Sequence, residues 1–234
     1  RCAKNYYGRG VPMKCFVCRQ RLVRADRREV RPFRRSSSPA TLHDAIRQND
    51  VERAEELIEQ GADVNLPDGD GWPALKVAAK DGSAEIVRLL LNAPGIDVNA
   101  LHQGLTALGW ACRYGNTEVV SLLLAAPGIE VDKHAEHGTT PLHIAIRKNH
   151  EDVVNLLIDA GADVNLPDGD GWPALKVAAE MGHAEIVRLL LNAPGIDVNA
   201  LHQGMTALGR ASRYGNTEVV SLLLAAPGIE VDKH

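Results

Sequence analysis

Aromatic residues are scarce in this chain of 234 residues: Phe, Trp and Tyr together make up 4%. That scarcity excludes a core of large rings and leaves Leu, Val, Ile and Ala, which suit aliphatic layers that are long rather than deep. Four cysteines, at positions 2, 15, 18 and 112, are too few and too unevenly placed for a small disulfide scaffold. Their pattern implies a reducing, intracellular compartment, cytoplasmic or nuclear. No apolar run approaches the roughly 18 residues of a membrane span. Phosphate loops and the GxGxxG, HExxH and GxSxG motifs are missing, as is any unique polar constellation suited to acid–base catalysis. The expectation is a non-enzymatic chain with no catalytic residue, no cofactor and no metal.

What is present is a period. Leu42, Leu75, Leu108, Leu142, Leu175 and Leu208 follow one another at steps of 33, 33, 34, 33 and 33 residues. Residues 61–134 match residues 161–234 at all but 6 of 74 positions. A fixed period of this length means stacked modules that each touch only their neighbours. A catalytic set would have to appear twice in such a chain.

Charge is uneven along it. Residues 1–38 hold 12 Lys and Arg against Asp26 and Glu29, a net +10, so residues 39–234 carry −14 of the total −4. The Ser36-Ser37-Ser38-Pro39 junction separates this basic arm from the periodic body. Arg-rich, Ser-ending sequence buries little apolar surface, so the arm is expected to be disordered or loosely ordered. As an alternative to a binding body, the arm would act as a nucleic-acid or membrane tether or a targeting segment, with the repeats as adaptor. Cys15 and Cys18 form a lone CxxC, which lacks the second ligand pair that structural zinc requires.

Each unit reads as two helices. Thr41, Thr106, Thr140 and Thr206 precede the anchor leucines, where a hydroxyl satisfies free amides at a helix start, and Pro141 suits a first turn. Gly82, Gly115, Gly182 and Gly215 mark the turn to a second helix, whose apolar residues recur at helical spacing, as in Ile86, Val87 and Leu90. Pro94, Pro127, Pro194 and Pro227 stop that helix, while Gly61 and Gly161 do so in the first and fourth units. The Asp- and Asn-rich stretches that follow read as turns bonding their own backbone.

Residues 137–145 read HGTTPLHIA, and residues 153–165 read VVNLLIDAGADVN. With these motifs the chain from Pro39 onward resembles an ankyrin repeat protein. The resemblance implies an all-α ankyrin-repeat solenoid of six helix-turn-helix units with short hairpin or loop tips, over residues 39–68, 69–101, 102–134, 135–168, 169–201 and 202–234. It explains His143 as the TPLH histidine that bonds backbone within its repeat, and His150 as the residue opening the turn into helix two. His134 and His137 alone then make no metal site.

The resemblance also implies a concave groove lined by tips and first-helix flanks, binding a protein or peptide. By period the tips supply Gly69, Asp70, Trp72, His102, Gln103, Leu105, Glu136, His137, Thr139, Gly169, Asp170, Trp172, His202, Gln203 and Met205. The flanks supply Lys80, Asp81, Arg113, Tyr114, Arg147, Lys148, Glu180, Met181, Arg213 and Tyr214. Trp72 and Trp172 look exposed and are read as anchors, with packing over their own hairpins as the even alternative. The acidic body favours a basic partner, nucleic acid enters only through residues 1–38, and the expected state is a monomer. One position is apolar in interior units (Val77, Trp110, Ile144, Val177) and charged in the outer two (Asp44, Arg210), which predicts charged, solvated end faces.

Overall fold

The computed structural model describes residues 41–231. The basic arm, its CxxC and its boundary with the body lie outside the described residues, as do the tether and targeting readings placed on it. Within residues 41–231 the chain forms twelve α-helices in six pairs: α1 (Leu42–Arg47) with α2 (Val51–Glu59), α3 (Ala74–Asp81) with α4 (Ala84–Leu91), α5 (Ala107–Tyr114) with α6 (Thr117–Leu124), α7 (Pro141–Arg147) with α8 (Glu151–Asp159), α9 (Ala174–Met181) with α10 (Ala184–Asn192), and α11 (Ala207–Tyr214) with α12 (Thr217–Leu224). No strand occurs among the described residues, and none of their helices is long and apolar enough to cross a membrane.

Local chemistry accounts for the helix boundaries. Thr41, Thr106, Thr140 and Thr206 each accept an amide of the first turn, and Thr41 with Asp44 completes a reciprocal capping box. Gly82 ends α3 at φ 75°, a left-handed conformation that costs a glycine nothing, and Asn149 takes the corresponding conformation after α7. Ile86, Val87 and Leu90 are fully buried, as are Val120, Leu123, Val154 and Leu157 at the same register.

The six pairs stack as two layers. First helices carry Ala78, Ala111, Ala145, Ala178 and Ala211 at full burial, so their backbones approach closely; second helices present larger Leu and Val. Neighbouring first helices therefore pack more tightly than neighbouring second helices, which curves the stack with the first helices inside. Units are also stapled by side-chain amides. Asn65, Asn99, Asn165 and Asn199 each donate to a carbonyl of the following unit at 2.7 Å, at Gly95, Gly128, Gly195 and Gly228, and accept an amide from that same turn. The expectation that these stretches bond only their own backbone holds for Asp63, Asp97, Asp163 and Asp197, which accept the amide two residues on, and fails for the asparagines.

The TPLH histidine also differs from expectation. His143 bonds the Thr140 hydroxyl at 2.8 Å through Nδ1, but its Nε2 reaches the carbonyl of Trp172 in the next unit at 2.9 Å, and His43 reaches Trp72 in the same way. Burial holds His143 below its ordinary pKa, so it is neutral and works as a joint between units.

Candidate functional site

The two layers differ in charge. The six first helices contain eight Lys and Arg against Asp44, Asp81 and Glu180, whereas the six second helices contain eleven Asp and Glu against Arg53, Arg88 and Arg188. Within the body's net −14 the inner layer of first helices sums to +5, the outer layer of second helices to −8 and the segments between them to −11. The first-helix flank is thus the basic layer of the body, and the tips beside it carry the acidic Asp70, Glu136 and Asp170.

At the middle of that inner face lies an open depression of about 450 Å³, lined by Gln103, Gly104, Leu105, Arg113, Ala135, Glu136, His137, Thr139, Ile144, Arg147, Lys148 and Asp170. Nine of the groove positions expected from the period meet here: Gln103, Leu105, Arg113, Glu136, His137, Thr139, Arg147, Lys148 and Asp170. Ile144, read from the sequence as interior, forms floor beside Leu105; periodicity marks a position as apolar without saying whether it ends under a neighbour or at a groove bottom. The tips have defined shapes. Gln103 and Gly104 both take positive φ between the paired residues His102 and Leu105, as a type I′ turn requires, and His137 and Gly138 take positive φ in the same way at the next tip, with the Glu136 amide on the Gly104 carbonyl at 2.8 Å.

The two tryptophans are half-buried and packed against the core, not exposed. The Trp72 ring lies 5.0 Å from His102 and 5.1 Å from Trp110, with the Lys80 ammonium 5.1 Å from its centre. Trp110 in turn stacks on Tyr114 at 6.0 Å and 15°, under Arg113 at 5.6 Å. Trp172 has His202 at 5.4 Å and the Arg210 guanidinium at 4.5 Å, and Arg210 also reaches Tyr214 at 5.7 Å. Periodicity marks Trp110 as an apolar interior position but does not signal that it is the second ring of this stack.

Arg210 does not present its charge to solvent as the end-face reading required. Its side chain is 14% exposed, pairs with Glu180 at 3.0 Å and lies over Trp172. The carboxylate and ring face replace the water that burial removes. Asp44 is half-buried and occupied with the amide and hydroxyl of Thr41.

Along the flank, Arg47 and Arg147 are each neutralised by an aspartate 21 residues on, Asp68 and Asp168, the latter at 2.6 Å. Burial alone raises the Asp68 carboxyl, but amides of Trp72 and Asp70 and the Arg47 guanidinium outweigh it and hold the group below its ordinary value. The place 21 residues beyond Arg113 is His134, which turns its Nδ1 to the Gly138 carbonyl. Arg113 and Lys148 therefore have no ion-pair partner among the described residues. Asp70, Asp81, Gln103, Arg113, Tyr114, Met181, Gln203, Arg213 and Tyr214 are exposed, while Lys80, His102, Leu105, Glu180, His202 and Met205 are half-buried.

Two lysines occupy the place of the TPLH histidine in units two and five. Lys76 and Lys176 are 1% exposed. Lys176 donates to the His202 carbonyl and lies 4.9 Å from the Trp172 ring, whereas Lys76 Nζ finds no hydrogen-bond acceptor among the described residues. Burial lowers the Lys76 pKa to about 8 and also lowers that of Lys176, where Arg210 adds to the effect. The Cys112 thiol is fully buried and pushed well above its ordinary pKa, so it is no nucleophile. No group of three His, Cys, Asp or Glu suited to a metal exists among the described residues.

The comparisons with known proteins agree with this architecture. The family model described as ankyrin repeats (3 copies) matches residues 21–102, 42–135, 94–168 and 161–234. The ankyrin repeat domain of Bcl-3, described as a unique member of the IkappaB protein family, is similar at TM-score 0.75 and 29% identity, over 80% of this chain and 86% of that one. An ankyrin repeat domain from Acinetobacter baumannii AYE is similar at 0.73 and 30%, over 79% and 96%. A mitochondrial disaggregase of Bos taurus is 44% identical over 64 residues, 27% of this chain and 9% of that protein. Protein phosphatase 1 regulatory subunit 27 of Mus musculus is 36% identical over 56 residues, 24% of this chain and 36% of that protein. The chain thus spans well under half the length of the curated relatives it matches.

Proposed function

Because the chain belongs to the ankyrin repeat family, whose repeats generally mediate protein–protein interaction, we propose that it is a non-enzymatic scaffold holding a protein or peptide along the inner face. The observation that carries this reading is the central depression, where tips of units three to five and the ends of α5 and α7 converge on an apolar floor of Leu105 and Ile144. The units are stapled to one another by His43, His143 and the four asparagines, so the surface is preformed and its ordering is not charged to binding. Polar tips and cations around an apolar floor suit a segment that inserts a few side chains and is read at its edges.

Site-specific photo-crosslinking tests the proposal. A photoreactive residue replacing His137 at the tip is expected to give discrete protein adducts in cells, and one replacing Glu118 on the outer layer is not. Equal labelling at the two positions would refute an inner-face binding site.

A further inference from the structure

We infer that the occupant of the central depression is an acidic peptide segment, held by Arg113 and Lys148 with an apolar side chain on Leu105 and Ile144. The inference rests on the groove reading above and adds the chemistry of its partner. Three observations support it. The cations of the body are concentrated in the first helices, net +5 against −8 in the second helices, so the helix wall of the depression, unlike its acidic tips, is the side that attracts an anionic group. Arg47 and Arg147 are cancelled by buried aspartates, and Arg210 is cancelled by Glu180. In the central unit the aspartate is replaced by His134, and Arg113 is left on the rim of the depression beside Lys148.

A cation at a helix end also complements the backbone dipole, but that role is served equally by Arg147 with its carboxylate attached. The dipole therefore gives no reason for Arg113 to stand at the rim of the depression without a carboxylate. Glu136 and Asp170 stand on the tip wall opposite. They restrict carboxylates to the helix wall and are placed to accept amides of an extended backbone. Carboxylates bonded to Arg113 and Lys148 gain from charge assistance and, for Arg113, from a two-pronged fork.

A random peptide library displayed on phage, selected against the full chain, tests this with a defined probe. The selected pool is expected to be enriched in Asp and Glu flanking an apolar residue, and its peptides are expected to bind at least tenfold more weakly to Arg113→Glu/Lys148→Glu, or when salt is raised from 0.05 to 0.5 M, as screening requires. Arg88→Glu, on a second helix away from the depression, should leave affinity within about twofold. A pool without acidic enrichment, or one unaffected by the double reversal, overturns the inference. If such a pool is lost on Leu105→Asp, the groove reading survives while the acidic partner does not. An acidic pool indifferent to both Leu105→Asp and the double reversal, or an empty pool, overturns both.

Discussion

Units two and three and units five and six are nearly the same sequence in two different places, and their few differences are informative because of where they fall. Lys80 and Trp110 in the first copy become Glu180 and Arg210 in the second. In the first copy Trp72 is covered by an ammonium and a ring; in the second Trp172 is covered by a guanidinium tied to a carboxylate. The exchange is one event spread over two positions. A cation stays over the ring, supplied from a different helix, and the residue it displaces changes sign to receive it. Cys112 and Ser212 teach the complementary lesson: the thiol is sealed between units, while its serine counterpart in the outermost unit is exposed.

The strongest way to break the comparison is to transplant half of the exchange. Trp110→Arg places a guanidinium beside Lys80, beneath a neighbouring unit that Arg210 does not have, and should cost about 3 kcal/mol or more in urea unfolding. Adding Lys80→Glu should restore at least 1 kcal/mol of that, about the coupling expected of contacting pairs. A double variant no more stable than the single one would show that the two differences are independent.

The paired lysines sharpen the comparison at smaller scale. Lys76→Met should stabilise by about 1 to 2 kcal/mol at pH 7, since it removes an unpartnered buried ammonium, and Lys176→Met should gain less because it forfeits a carbonyl bond and a ring contact. The sign with pH follows from the lowered pKa. Between about 8 and the ordinary 10.5 the unfolded chain binds more protons at residue 76 than the folded chain, so parent stability rises with pH there. The advantage of Lys76→Met should shrink across that window in thermal melts from pH 7 to 10.5, and a constant advantage would disprove the assignment. Smallest of all, Cys112→Ser should cost about 1 kcal/mol by burying a hydroxyl, whereas Ser212→Cys should stay within about 0.5 kcal/mol. Equal effects would mean that position 212 is as enclosed as position 112.

Much of the fold was legible. The anchor leucines, the threonine caps and the second-helix aliphatics each fall where the period put them, because caps and helical registers are settled within a few residues of chain. The candidate site was legible as a set of positions but not as an arrangement. Nothing local shows that Arg147 meets Asp168 while Arg113 has no such partner, or that nine of those positions enclose one depression. Trp72 and Trp172 were ambiguous for the same reason: a ring at a hairpin is exposed until a neighbouring unit covers it.

By itself the sequence determined the period, the six helix pairs, their caps and their aliphatic core. Those depend on interactions that recur within each unit. Only the tertiary structure decided which charge faces which, how Asn and His join one unit to the next, and where the basic flank opens. Those contacts link residues some 21 to 37 positions apart, and their geometry exists only once the stack has formed.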